Sequence, residues 1–234
     1  MRTRLPSFLD RLIEGGWLAA LVVTPLFFNL LTARTFEPDK AALLRAIVLV
    51  MLAAWAGWLL VRPRPEVRPR LDWRSPTGWL LGSGLVLAGV LCISALTGLN
   101  PRISLLGSYN RDQGVVTLLA YLALGLLIAV RLRTPDQLRR LLDTVVLVGL
   151  AVGVYGVLQR FGIDPVPWGG FGDETVLRVI GTQGNATFLA GYLVLAMLVT
   201  LFSLLAARRA GRTVALAAYG VALAFQFLAL LFSD

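Results

Sequence analysis

The chain contains no histidine among its 234 residues, so the side chain that most often serves as a general base or a metal ligand is absent. Its single cysteine, Cys92, excludes an intrachain disulfide. Cys92 lies inside an apolar stretch, where we expect it to act as a packing residue. Charged residues are also scarce, at 15% of the chain against 57% hydrophobic residues. A soluble domain is typically about 45–50% apolar, and a soluble all-α fold could not hide this much apolar surface from water.

Long uncharged runs of apolar residues recur along the whole sequence. Each is close to the roughly 20 residues that an α-helix needs to cross the hydrocarbon core of a bilayer. The sequence therefore predicts an all-α, polytopic transmembrane helical bundle that forms one transmembrane domain over residues 1–234. About seven spans are expected, near residues 14–31, 41–61, 79–97, 115–131, 141–158, 186–207 and 213–232. The first is not typical of a removable signal peptide, because its apolar run is long and residues 27–31 offer no small-residue cleavage site.

The 22 lysine and arginine residues give a formal net charge of +9, which alone would be compatible with nucleic-acid binding. Their distribution argues against a nucleic-acid partner, because the cations cluster at the ends of the predicted spans, as the positive-inside rule requires. Fifteen fall on one side: Arg2, Arg4, Arg11, Arg62, Arg64, Arg68, Arg70, Arg74, Arg131, Arg133, Arg139, Arg140, Arg208, Arg209 and Arg212. Six fall on the other: Arg34, Lys40, Arg102, Arg111, Arg160 and Arg178. This bias predicts a cytoplasmic amino terminus.

The predicted cytoplasmic loops carry little chemistry. Residues 134–137, Thr-Pro-Asp-Gln, predict a helix start, because Thr134 can cap, Pro135 fits the first helical position and Gln137 completes a capping box. The function expected of this stretch is to turn the chain back into the membrane.

The first external loop leads into a span that carries two cations, Lys40 and Arg45. Pro38 and Asp39 predict the helix start, so both cations would lie near the positive end of the helix dipole, which is unfavourable. One interpretation is that they await an anion at the helix amino terminus. The other is that they snorkel and form local ion pairs with acidic neighbours such as Glu37.

The second external loop, residues 100–114, begins with Asn-Pro, which favours a turn. Residues 107–112 place a hydroxyl, a phenol, an amide and a guanidinium within six positions. Arg111 offers the forked geometry that matches phosphate, and Tyr109 can lie against a sugar ring. The alternative is an ordinary turn in which Arg111 pairs with Asp112.

The third external loop, residues 159–185, is long for a connector, and loops of this length are usually functional or disordered. It contains Arg178 and ends in the glycine- and asparagine-bearing stretch 181–185, Gly-Thr-Gln-Gly-Asn. Residues 185–187 match the glycosylation sequon, but the match is weak and adjoins a predicted span, so we discount it.

Four stretches of these loops together resemble one family. They are Phe-Glu-Pro-Asp-Lys at 36–40, Asn-Pro through Gly-Ser-Tyr-Asn-Arg-Asp-Gln-Gly at 100–114, Tyr-Gly-Val-Leu-Gln-Arg-Phe-Gly-Ile-Asp-Pro at 155–165, and Arg-Val-Ile-Gly-Thr-Gln-Gly-Asn at 178–185 followed by Phe-Leu-Ala-Gly-Tyr-Leu at 188–193. The order of these stretches along the chain and their shared external side, as predicted, resemble the O-antigen ligase and O-antigen polymerase superfamily of bacterial envelope membrane proteins.

The resemblance implies a multispan, lipid-sugar-using glycosyltransferase of the bacterial inner membrane. Its members transfer a glycan from undecaprenyl diphosphate, on the external side, to an acceptor glycolipid, polysaccharide or protein, and the known ligases need no metal or nucleotide cofactor. By resemblance, Arg178 is expected to hold the diphosphate. The expected substrate-binding residues are Arg178, Arg111, Lys40, Tyr109 and Asn185, and no catalytic residue is assigned. Members usually have more spans and a later external loop with a histidine, so we expect this chain to be the amino-terminal half of a longer protein.

Two other functional classes remain alternatives. A transporter or channel is disfavoured because the predicted spans hold few ionisable groups, Arg45 and Asp143, and ion pathways usually need buried charges. No internal repeat of the transporter kind is evident either. The second alternative is a noncatalytic membrane scaffold or receptor whose external loops bind a partner.

Overall fold

The computed structural model describes residues 4–32, 35–61, 74–109, 111–164, 166 and 178–234. This part of the chain is helical and contains no strand. The helices are α1 (Arg4–Leu26), α2 (Glu37–Val61), α3 (Pro76–Thr97), α4 (Pro101–Leu106), α5 (Val115–Arg131), α6 (Pro135–Arg160), α7 (Ala186–Arg209) and α8 (Thr213–Phe232), with a 3-10 turn at Gly181–Gln183. The prediction of an all-α fold is confirmed for these residues.

Five of the described helices are long and apolar enough to cross a membrane: α2, α3, α6, α7 and α8. Helix α5 is apolar but shorter. Helix α1 has the necessary length, but Asp10, Arg11 and Glu14 lie in its first half. Each of the seven predicted spans overlaps one long helix, whereas the seven-span count itself stays a prediction. The predicted span 14–31 extends too far, because α1 ends at Leu26, directly after Pro25.

Local capping signals determine where several helices begin. The Thr134 hydroxyl accepts a hydrogen bond from the Gln137 amide, and the Gln137 side chain accepts one from the Thr134 amide, so the predicted capping box is confirmed. The predicted start of α2 at Pro38 is confirmed to within one residue. At Asn100 the predicted turn is instead a helix start, because the Asn100 side chain caps α4, with Pro101 in its first turn.

The chain divides into two compact units, and unit 1 consists of Met1–Ala20 and Glu37–Gln137. A cluster of α1, α2 and α5 residues forms part of its core: Ala20, Leu44, Val48 and Ala120. The Arg111 Nε lies 3.9 Å from the Glu37 Oε2. Because Glu37 opens α2 and Arg111 shortly precedes α5, these two helices begin at the same end of unit 1.

A buried cation joins three helices of unit 1 at the opposite end of α5. Arg131, 6% exposed, pairs with Asp10 of α1, and its guanidinium carbon lies 4.0 Å from the centre of the Trp58 ring of α2. Planar guanidinium groups stack well on aromatic faces. The Gln137 side chain, just beyond this point, donates a hydrogen bond to Glu14.

Unit 2 consists of Leu21–Phe36 and Leu138–Asp234. Its core is built from one face each of α6, α7 and α8 together with Val179: Val148, Val152, Val179, Leu189, Leu193 and Ala229. Glycines on α6 allow α8 to approach closely. A Cβ at Gly153 would lie 3.0 Å from backbone atoms of α8, and small residues at such contacts are typical of helix packing in membranes.

Large apolar side chains cover the outer surfaces of both units. Examples that are more than half exposed are Leu60, Trp79, Val86, Leu96, Leu195, Leu198 and Phe202. A surface of this kind suits lipid rather than water. Cys92 is exposed on α3, so the prediction that it serves as a packing residue is wrong. Its apolar sequence neighbours reflect an outward-facing helix surface, not an interior position.

Candidate functional site

The loop that carries Arg178 is held against the end of α6 by one glutamine. The Gln159 Oε1 accepts hydrogen bonds from the backbone amides of Ile180 and Gly181, at 3.0 and 2.8 Å. Both loop amides are therefore satisfied by a side chain from a helix, which fixes the backbone two and three residues after Arg178.

Gln159 is itself oriented by the carboxylate of Asp164. The Gln159 Nε2 donates to the Asp164 Oδ2 at 2.8 Å, while the Tyr155 hydroxyl and the Val166 amide donate to the Oδ1 at 2.9 and 3.0 Å. An ionised carboxylate can only accept hydrogen bonds, so Asp164 bonds to the NH2 group of the Gln159 side chain. The Gln159 Oε1 is then directed toward the loop. Hydrogen bonds of this kind, from residues behind a loop, hold the loop in one conformation.

The next two residues of the loop donate hydrogen bonds to the carboxyl end of α1. The Thr182 hydroxyl and the Gln183 Nε2 both donate to the Pro25 carbonyl, at 2.7 and 2.9 Å. The last carbonyls of a helix have no partner within the helix. The loop therefore supplies donors to a carbonyl that would otherwise need water.

Two conformational constraints fix the passage from the loop into α7. Gly184 adopts a left-handed conformation, with φ 69°, which glycine tolerates best. The Asn185 side chain then accepts hydrogen bonds from the amides of Thr187 and Phe188, at 2.8 and 3.3 Å. Asn185 is thus the amino-terminal cap of α7, a role that sequence reasoning did not assign to it.

Arg178 itself is exposed, and no ion pair involves it among the residues that the structure describes. The adjacent Val179 is 2% exposed, and its amide donates to the Phe232 carbonyl at 3.0 Å. The Arg160 guanidinium carbon lies 5.8 Å from the centre of the Phe232 ring. Two arginines are therefore anchored near the last turn of α8, one through its neighbour's backbone and one through an aromatic ring.

The other three predicted site residues belong to unit 1. Tyr109 and the Arg111 side chain are exposed, at 78% and 65%, whereas Lys40 is buried in the first turns of α2. Arg111 approaches Glu37, so the alternative of a pair with Asp112 is not what the structure shows. Asn110 lies outside the described residues, as does Arg34.

A tight turn at Gly107 shapes the loop that carries Arg111 and leads into α5. Gly107 has φ 93°, and a Cβ there would lie 2.4 Å from the Gln113 nitrogen. The Thr117 hydroxyl, 1% exposed on α5, donates to the Asp112 carbonyl at 2.8 Å. The backbone around Arg111 is therefore constrained from both sides, while the arginine side chain remains accessible.

Unit 1 thus carries Lys40 and Arg111 near the amino-terminal ends of α2 and α5, with exposed Tyr109 two positions before Arg111 in the chain. Unit 2 presents Arg178 and Asn185 on one loop. Of the predicted third loop, residues 165 and 167–177 lie outside the description. Sequence reasoning missed Gln159 and Asp164 as supporting residues. The available signal was the i, i+4 spacing of Tyr155 and Gln159, which puts both side chains on one face at the end of α6.

The chemistry available at these loops is anion binding. Guanidinium groups offer charge-assisted, forked hydrogen bonds to phosphate or carboxylate. Over the described ranges, no cluster of histidine, cysteine or carboxylate side chains has the arrangement of a metal site.

The long apolar helices with lipid-compatible surfaces define a helical, multi-pass membrane protein. Comparison with known proteins adds no relative: no family model, no curated protein and no solved structure matches the chain.

Proposed function

We propose that this protein binds an undecaprenyl-diphosphate-linked glycan at the external face of a bacterial inner membrane and takes part in transferring that glycan to an acceptor, as an O-antigen ligase or polymerase does. The observation that carries the proposal is Arg178. It is an exposed cation next to a buried residue, on a loop whose backbone is held by Gln159, Thr182 and Gln183. The motif resemblance supplies the identity of the ligand.

The physical role of Arg178 follows from the charge of the leaving group. As the sugar departs from the lipid carrier, negative charge gathers on the diphosphate. A cation that is already in place stabilises that charge without reorganisation. A loop fixed by four side-chain hydrogen bonds meets this requirement better than a flexible connector, because its ordering cost is met on folding rather than on binding.

Arg160, Arg111, Tyr109 and Lys40 receive supporting roles in this proposal. Arg160 adds a second positive charge at the end of α8 in unit 2. In unit 1, Arg111 is a further phosphate-binding candidate, and Tyr109 presents an exposed phenol ring suited to a sugar face. Buried Lys40 contributes positive potential at the start of α2 rather than direct contact.

The test is donor binding by the purified full chain in lipid nanodiscs. We expect undecaprenyl diphosphate to bind and undecaprenol, which lacks phosphate, to bind much more weakly. Arg178→Gln should weaken diphosphate binding about 10- to 100-fold, because a hydrogen bond to a charged group contributes about 1.5–3 kcal/mol. Arg178→Lys should retain part of the affinity, since it keeps the charge but loses the fork.

The matched control is Arg102→Gln, which removes another exposed arginine, from α4, and should leave binding unchanged. Wild-type affinity in Arg178→Gln would remove Arg178 from the site and the proposal with it. Ion or solute flux through vesicles containing the protein, with no diphosphate binding, would instead favour a transporter.

A further inference from the structure

Helices α2 and α5 leave a groove on unit 1 that is separate from the loops described above. Its volume is about 530 Å³. The lining is apolar apart from one side chain: Ala42, Ala46, Val48, Leu49 and Leu52 of α2, Val116, Leu119, Ala120 and Ala123 of α5, and Arg45. Ala42, Arg45, Ala46 and Leu49 follow the i, i+3, i+4, i+7 spacing of one helix face.

Arg45 is the second cation of α2, and it lies on a different face from the first. Lys40 is buried, and it is not among the residues that line the groove. Arg45 is partly buried. Within the portion of the chain that the structure describes, no carboxylate forms an ion pair with it.

The position of Arg45 along α2 makes an unpaired charge costly. Arg45 is eight residues from Glu37, or about 12 Å along the axis. Helix α2 is 25 residues long, about 37 Å, against a hydrocarbon core of about 30 Å. Arg45 therefore lies below the head groups, at a depth from which a long arginine side chain reaches up to the phosphate level.

The length of the groove matches one leaflet of a bilayer. From Ala42 to Leu52 it follows α2 for about 15 Å, which is half of a hydrocarbon core of about 30 Å. Its one charged group lies toward the outer end of that length, one helical turn from Ala42. An apolar channel of leaflet length with a cation near its outer end has the shape and charge of a phospholipid-binding groove.

We propose that this groove binds one anionic glycerophospholipid, with an acyl chain along α2 and α5 and the phosphate on Arg45. A net-negative lipid such as phosphatidylglycerol is favoured over a zwitterionic one, because the head group then brings no cation of its own to compete with Arg45 for the phosphate. The site is independent of the proposed donor site, since it shares neither its loops nor its residues.

The experiment is native mass spectrometry of the full chain in detergent, with phosphatidylglycerol and phosphatidylethanolamine of identical acyl chains added in turn. We expect one retained phosphatidylglycerol, with a preference over phosphatidylethanolamine of about five-fold, the factor that corresponds to about 1 kcal/mol per cation near an anionic head group. Arg45→Gln should remove the preference. Ala46→Phe, which fills the groove and keeps the arginine, should lower the retention of both lipids.

The matched control is Arg209→Gln, which removes an exposed cation at the end of α7 and should leave the pattern unchanged. An undiminished preference in Arg45→Gln, or undiminished retention in Ala46→Phe, overturns the proposal. It is also overturned if the groove variants abolish a dimer instead of lipid binding, because the occupant would then be a second copy of the chain. Loss of diphosphate binding at Arg178 would leave this result untouched.

Discussion

The ring of Phe36 lies directly against the backbone of Gly184, so closely that a Cβ on Gly184 would approach a ring carbon to 2.3 Å. The two residues are far apart in sequence and belong to two of the stretches on which the family resemblance rests. Their contact gives a packing reason for the glycine in addition to its left-handed φ of 69°.

We expect Gly184→Ala to destabilise unit 2 by about 2–4 kcal/mol, the sum of a left-handed conformation for alanine and overpacking against the Phe36 ring. The measurement is the fraction of detergent-solubilised protein that stays folded after heating. Gly211→Ala isolates the first cause, because Gly211 also has a positive φ, 65°, but nothing lies within 4 Å. Equal losses in the two variants would show that the Phe36 contact contributes nothing.

Exchange of the donor and acceptor groups of Gln159 and Asp164 tests whether these two residues hold the loop that carries Arg178. Gln159→Glu places a second carboxylate beside Asp164, where a 2.8 Å hydrogen bond now lies, so the loop should detach more often. We expect hydrogen exchange at the Ile180 and Gly181 amides to accelerate about 10- to 100-fold, which corresponds to about 1.4–2.8 kcal/mol of local opening.

The double variant Gln159→Glu with Asp164→Asn restores the pattern with its direction reversed, because the new amide can donate to the new carboxylate. Slow exchange should return in the double variant, and Tyr155 keeps its acceptor. If the double variant exchanges as fast as Gln159→Glu alone, the two side chains are not coupled in the way that the structure indicates.

The ion pair between buried Arg131 and partly exposed Asp10 predicts that substitution of either residue destabilises unit 1. Asp10→Asn leaves a buried guanidinium without its charge partner and should cost about 1–3 kcal/mol, below the usual penalty for buried pairs because the Asp10 side chain is 45% exposed. Arg131→Lys should also destabilise, since an ammonium cannot reproduce the planar stack on Trp58. Thermal unfolding in detergent measures both, and Arg102→Gln, at an exposed position on α4 of unit 1, serves as the neutral reference.

Gln226 on α8 is fully buried, and its Nε2 has no hydrogen-bond partner in the described structure, whereas its Oε1 accepts from the Thr200 hydroxyl at 3.0 Å. The Ala196 carbonyl is a second acceptor within 2.8 Å of the same Thr200 hydroxyl, so the hydroxyl proton keeps a partner when Gln226 is replaced. We expect Gln226→Leu to be neutral or stabilising within about 1 kcal/mol, and Gln226→Glu to be strongly destabilising. Thermal unfolding measures both variants, and a higher unfolding temperature for Gln226→Glu than for Gln226→Leu would contradict this prediction.

Local patterns in the sequence were sufficient to predict most of the helices. Apolar runs located every long helix, and the Thr134–Gln137 capping box and the start of α2 near Pro38 were predicted from adjacent residues. These features depend on interactions within one helical turn, which is why a single sequence contains them. Cys92 shows the limit of the same reasoning, because an apolar run in a membrane chain does not distinguish a lipid-facing side chain from a buried one.

The candidate site was predictable only in part. Arg111 was predicted from its residue type and loop position and Arg178 from the family resemblance, and both roles stay predictions. The contacts that hold the Arg178 loop join residues that are distant in the sequence. Thr182 and Pro25 are 157 positions apart, and Gln159 and Ile180 are 21 apart. Such pairs depend on how helices pack in three dimensions, and neither composition nor periodicity contains that information.

The hydrogen bonds from Thr182 and Gln183 to the Pro25 carbonyl have a consequence for how the proposed ligand would be exchanged. A swing of this segment away from α1 would break both hydrogen bonds to the helix-terminal carbonyl of Pro25, at a cost of about 0.5–1.5 kcal/mol for each bond. In the proposed function, rotation about the side-chain torsions of Arg178 would then capture and release the phosphate, while the loop backbone stays in place. Under that proposal, the length of the Arg178 side chain would limit how far from the loop backbone a bound phosphate can lie.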